Sequence, residues 1–220
     1  MNSILRISKI LFACAALVCA VLVAAPIAKA DTVTFGTATP GPGFTGPVTE
    51  GGYTYSTLSG QLYVNGYGPG GEQDMEGCYV CGSTTGGVLQ IVSAGGGDFT
   101  FNSVDFAAYD YNNTGSGTLT VEGYLGGTLV GTDTYTLGST NVYSAGPGYS
   151  NWTLESASGL AGVTLDTLDV VLNASTASGD ISNSNITNVD LTSVVPEPCS
   201  MLLMGAGLAG LGLVRRRRVA

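Results

Sequence analysis

From Thr32 to Thr192 apolar and polar residues alternate in short runs. A two-residue period is clear at Thr32–Phe35, Tyr53–Leu58, Gln61–Asn65, Gly87–Ser93, Phe99–Tyr111, Thr118–Leu125 and Thr128–Leu137. It continues at Asn151–Ser156, Gly162–Leu172 and Asn185–Thr192. Val, Thr, Tyr and Phe fill these runs and suit a pleated, half-buried surface; Gly, Asn, Ser and Pro clusters separate them, as turns require. About ten short strands at this spacing predict an all-β domain. No segment keeps a helical period with caps. A two-sheet β-sandwich of jelly-roll type is the favoured architecture. A β-solenoid is the alternative, but no fixed repeat supports it. Within Thr118–Leu125, Leu119, Val121 and Gly123 should share one face, with Thr120, Glu122 and Tyr124 on the other. Trp152 is expected in the core.

The pattern changes at both ends. Arg6 and Lys9 precede an apolar run from Ile10 to Ala25, and Ala28-Lys29-Ala30 offers small residues for cleavage before Asp31. Residues 1–30 therefore read as a signal peptide, 31–194 as the sandwich and 195–220 as a membrane segment. From Met201 to Val214 every residue is apolar or Gly. The run is short for a bilayer-spanning helix, and Arg215, Arg216, Arg217 and Arg218 would act as its membrane stop.

Charge narrows the function. The chain has 220 residues, with 16 acidic side chains, 7 basic ones and no His. Every basic residue lies before Asp31 or after Val214, and every acidic one between Asp31 and Glu197. A body without Lys, Arg or His cannot neutralise phosphates, which excludes nucleic acid as a partner. It also excludes His-based triads, Lys Schiff bases and Arg clamps.

The remaining candidates are few. Cys78 and Cys81 form the one Cys pair of the body, and a disulfide is the favoured reading in an exported chain; free thiols, or a metal or redox role, are the alternatives. Glu72, Asp74 and Glu76 alternate in a Gly/Pro-rich loop and are candidate ligands for Ca²⁺, a cation that prefers oxygen; a solvated acidic loop is the bland reading. Tyr53, Tyr55, Tyr63 and Tyr67 cluster in sequence and are candidate sugar-stacking platforms, since an aromatic face with a polar tip suits that task. Paired carboxylates would suffice for glycoside hydrolysis, but none sits in a recognised catalytic pattern.

Val195-Pro196-Glu197-Pro198, a short Gly/Leu/Ala segment and terminal arginines, in that order, resemble the PEP-CTERM sorting signal. That signal marks exported proteins of Gram-negative bacteria that make exopolysaccharide. The resemblance covers only the tail. It implies that a membrane sorting enzyme, exosortase, recognises Pro196, Glu197 and Pro198 and processes the segment. It also implies transient anchoring in the inner membrane, then residence at the cell surface or in the extracellular matrix. Cys199 stands where a small residue is commoner.

The motifs FNSVDFAAYD, TVEGYLGGTLVGTDTYTL, a Trp strand, GVTLDTLDVVL and SNITNVDLT follow an order that resembles the jelly rolls of PEP-CTERM proteins. Those domains are similar to carbohydrate-binding modules. Their last strand carries Asp-Asn before an apolar residue; here it reads Thr187-Asn188-Val189, without the Asp. Together these readings lead to a non-catalytic exported protein associated with biofilm or exopolysaccharide. A secreted carbohydrate-active enzyme using paired carboxylates is the alternative, and an adhesive-fibre subunit a third.

Overall fold

The computed structural model describes residues 29–77, 86–110, 116–138, 152–175 and 182–194, with Gly207. Cys78, Cys81, the leader before Lys29, the Pro196–Pro198 motif and the four arginines lie outside the described residues. Among those described, no helix is long and apolar enough to cross a membrane.

The alternating runs become antiparallel strands. They are β1 (Ala30–Val33), β2 (Gly41–Phe44), β3 (Val48–Glu50), β4 (Tyr53–Gly60), β5 (Leu62–Asn65), β6 (Asp74–Gly77) and β7 (Gly87–Ser93). β8 (Phe99–Asp110), β9 (Ser116–Leu125), β10 (Thr128–Gly138), β11 (Thr153–Ser156), β12 (Thr167–Leu172), β13 (Ala174–Ser175) and β14 (Ser182–Ser193) follow. A single 3-10 turn, Pro69–Gly71, interrupts the chain before β6.

Two sheets form. One has six strands in the order β10-β9-β12-β7-β4-β3, and the other eight, with the path β11-β8-β14-β6-β5-β2. β14 is the axis of the larger sheet. It pairs with β8 along one side, and with β13, β6 and β1 in succession along the other. The sandwich thus begins and ends on neighbouring strands, with Ala30 opposite Thr192.

Burial follows the period of two. Leu119 and Val121 of β9 are fully buried, in register with Leu172 and Val170 of β12. Gly123, next on that face, leaves room for Leu160 and Leu165. A Cβ there would lie 2.5 Å from Leu165 Cδ2 and 2.7 Å from Leu160 Cδ2. The eight-stranded sheet contributes Leu62, Val64, Met75, Phe101, Phe106, Ile186, Val189 and Leu191 to the same core. Edge-to-face contacts of Phe35 with Tyr55 at 5.2 Å, and of Tyr53 with Phe99 at 5.4 Å, help fill it; such pairs add to plain area burial.

The expected strands all have counterparts, with shifted ends. β2, β3, β6 and β13 are additions. Gly and Pro disguise β2, β3 and β13 are very short, and β6 resembles an acidic loop.

Candidate functional site

Met75 and Ile186 sit opposite each other with both side chains in the core. Pleating therefore turns their neighbours, Asp74 and Glu76 on β6 and Asn185 and Thr187 on β14, to the outer face of the eight-stranded sheet. Asn185 lies directly opposite Glu76. Glu76 in turn faces Tyr63 of β5, and Asp74 faces Asn65. On the far side of β14, Ala107 and Asp105 of β8 complete the rows. The result is a patch of carboxylates and amides across four strands.

This patch is buried although it faces outward. Asp74, Asn185 and Thr187 are 0% exposed, and Glu76 is 6% exposed. Thr187 donates to the Gln73 carbonyl at 2.9 Å, and the Asn65 amide donates to Glu76 Oε2. Asp74 Oδ1 accepts the Tyr67 amide at 2.9 Å. Its other oxygen, Oδ2, has no partner, and neither the nitrogen nor the oxygen of the Asn185 amide has one. Burial pushes the Asp74 carboxyl up to about 7, with the Tyr67 amide holding it back only in part. Desolvation disfavours the charged form, and no basic side chain among the described residues offsets it.

The rim combines polar and aromatic groups. Asn188 has a left-handed backbone, φ 49°, at an irregularity in the β14–β8 pairing. Its amide donates to Asp105 Oδ2 at 2.9 Å and to Glu72 Oε2 at 3.4 Å. Tyr67 is 45% exposed. Its carbonyl accepts the Trp152 indole N–H at 3.1 Å, which ties the two aromatic residues together beside the patch.

Other carboxylates are better satisfied. Asp133 on β10 accepts the backbone amides of Ser158, Gly159 and Leu160 at 3.1, 2.6 and 3.1 Å. Asp169 on β12 accepts Gln90 Nε2 at 3.0 Å. It lies opposite Glu122 on the outer face of the six-stranded sheet, and burial raises its carboxyl above the usual range, with Gln90 opposing. Tyr124 beside it is pushed up to about 12, chiefly by donating to Glu122 at 2.7 Å. Two open depressions flank the Pro40–Val48 segment, but no titratable side chain lines them.

The expected site residues are redistributed. Tyr53 and Tyr55 are not exposed platforms. They share the inner face of β4, 1% and 0% exposed, with hydroxyls on Ser193 and on Thr37 and Glu50. Tyr63 and Tyr67 remain outside the core. Glu72, Asp74 and Glu76 do not form a three-carboxylate metal cluster, and no such cluster of His, Cys, Asp or Glu exists among the described residues. Glu72 precedes the strand and turns to Asn188, whereas β6 carries Asp74 and Glu76 onto the patch. Nor are these two on a solvated loop. Trp152 is half-buried at the rim rather than in the core. Asn185 and Asn65 were not candidates from sequence, because only the pairing of β14 and β5 with β6 brings them to the patch.

The fold and patch define an all-β, two-sheet antiparallel sandwich with one polar, aromatic-rimmed outer face. The end of the chain is more specific. Residues 194–218 match the PEP-CTERM protein-sorting motif, which implies an exported protein sorted via the membrane and processed by exosortase. A sequence comparison with curated proteins gives no match. Similar solved structures include a DUF4465 family protein from Bacteroides caccae, at 10% identity and TM-score 0.44, covering 76% of this chain and 100% of that one. A family 29 carbohydrate-binding module from Piromyces equi matches at 11% identity and TM-score 0.38, covering 77% and 93%. A carbohydrate-binding module from Cellvibrio mixtus lichenase 5A, solved in complex with cellotriose, matches at 14% identity and TM-score 0.34, covering 70% and 96%. No ligand is inferred from these likenesses.

Proposed function

We propose that this is a non-catalytic, exported binding protein of a Gram-negative bacterium. It is sorted to the cell surface or extracellular matrix, where it associates with exopolysaccharide and so with biofilm. The observation that carries the reading is the outer face of the eight-stranded sheet. Tyr67 and Trp152 stand beside Asn188, Asp105 and Glu72 there, which joins an aromatic surface to hydroxyl-reading polar groups. Sugars offer those two surfaces to a protein: an apolar ring face and a hydroxyl edge. The sorting motif supports a destination where polysaccharide is met.

One observation favours the enzymatic alternative: Asp74, with its raised carboxyl, and Glu76 share a strand face. Their burial argues against it, because a general acid must reach the bond it protonates. The test is binding of the purified full chain, in a non-glycosidic detergent, to a glycan array and to exopolysaccharide of the producing bacterium. Retention on polysaccharide without release of reducing sugar is expected. Release of reducing ends would replace the binding reading with the enzymatic one, and absence of retention would end it.

A further inference from the structure

Native proteins leave few buried polar atoms without partners, and an ordered water or ion is the usual explanation where they do. Asp74 Oδ2 and both polar atoms of the Asn185 amide are such groups, on two fully buried side chains. They stand one pleat apart on adjacent strands, with Glu76 directly opposite Asn185. We propose that Asp74, Glu76 and Asn185 hold a divalent, oxygen-preferring cation of the Ca²⁺ class on the outer face of the eight-stranded sheet.

Three features point to a cation rather than to water alone. A buried carboxylate needs a compensating charge. Between Asp31 and Pro198 the chain has no Lys, Arg or His to provide it. The donors on this stretch of the face are hard oxygens, two carboxylates and an amide, which suit Ca²⁺. Asp74 Oδ2 and Asn185 Oδ1 make no hydrogen bond to each other or to any other group, so both remain open to a shared ion. Three side chains supply part of the roughly 6–8 oxygens that Ca²⁺ takes. Water completes the shell and accepts from Asn185 Nδ2. The site differs from the one expected from sequence: Glu72 leaves it for Asn188, and Asn185 enters it. It does not depend on the carbohydrate reading, since a cation here could serve the fold alone.

The experiment is thermal melting of the purified full chain at pH 7.5 after EDTA treatment, with and without millimolar CaCl₂. Ca²⁺ should raise the Tm by about 3–6 °C. In EDTA, Asp74→Asn should melt higher than the wild type, which shows that it folds, and it should lose the Ca²⁺ response. Asn185→Ser should lose the response too, whereas Asp169→Asn on the opposite sheet should keep it. No Ca²⁺ response in the wild type would overturn the proposal in favour of water at the site. An equal response in Asp74→Asn would overturn it in favour of diffuse screening of the acidic body.

Discussion

Two buried carboxylates, one on each sheet of this sandwich, meet different fates. Asp133 on β10 is wrapped by three consecutive backbone amides of the β11–β12 connection. Asp74 on β6 accepts the Tyr67 amide at one oxygen and keeps the other, Oδ2, with no partner. A carboxylate surrounded by N–H groups is a structural clamp, complete without anything from outside. One that burial pushes up to about 7 is incomplete, and between Asp31 and Pro198 the chain has no Lys, Arg or His to complete it. Asp169 is intermediate, with a single neutral donor, Gln90. The series separates carboxylates that build the fold from one that waits for a ligand.

The comparison can be broken first by pH. The folded state holds the Asp74 proton to about pH 7, whereas an unfolded Asp releases it near its usual 3.8. The stabilisation from protonated Asp74 is then complete below the unfolded value and lost as pH rises to about 7. The loss amounts to up to about 4 kcal/mol, without bound cation. Urea denaturation in EDTA should show that decline in the wild type and its removal in Asp74→Asn. A wild-type profile identical to that of the variant would contradict it.

Asp133 should behave in the opposite way. Replacing it with Ala leaves three amides without their acceptor, and a loss of about 3 kcal/mol is expected in urea melts. A loss under about 0.5 kcal/mol, the range of ordinary surface changes, would remove the clamp from the account. The smallest effect belongs to Asp169. Gln90→Ala should cost about 1 kcal/mol by the same measurement, the value of one hydrogen bond. A loss equal to that of Asp133→Ala would collapse the gradation.

Much of the fold was legible in the alternation itself. Leu119, Val121 and Gly123 point inward as the period of two requires, and most strands lie where apolar residues recur at every second position. β6 shows where that signal fails. Asp74-Met75-Glu76-Gly77 alternates correctly, but it offers a single large apolar residue after a Gly/Pro-rich stretch, so it reads as a loop. The same ambiguity misplaced Tyr53 and Tyr55. Alternation puts both on one face of β4 but does not say whether that face is inner or outer. The aromatic rim is half visible in sequence, because Tyr67 is a candidate platform while Trp152 is expected in the core. Asn185 could not be found from sequence. Its meeting with Glu76 rests on a pairing between strands far apart in the chain, and its importance lies in what it fails to bond. The tail was the plainest signal, since its order of residues is an address and needs no tertiary structure to be read.

The central claim is that the outer face of the eight-stranded sheet, and not that of the six-stranded one, is the binding face. Each carries an outward tyrosine, Tyr67 on the first and Tyr124 on the second, so the faces can be tested against each other. The direct measurement is co-sedimentation of the full chain with exopolysaccharide of the producing bacterium, for wild type, Tyr67→Ala and Tyr124→Ala. The account predicts that Tyr67→Ala weakens retention by at least about tenfold, as loss of an exposed aromatic anchor does, while Tyr124→Ala sediments like the wild type. Retention that survives Tyr67→Ala and is lost in Tyr124→Ala would contradict it.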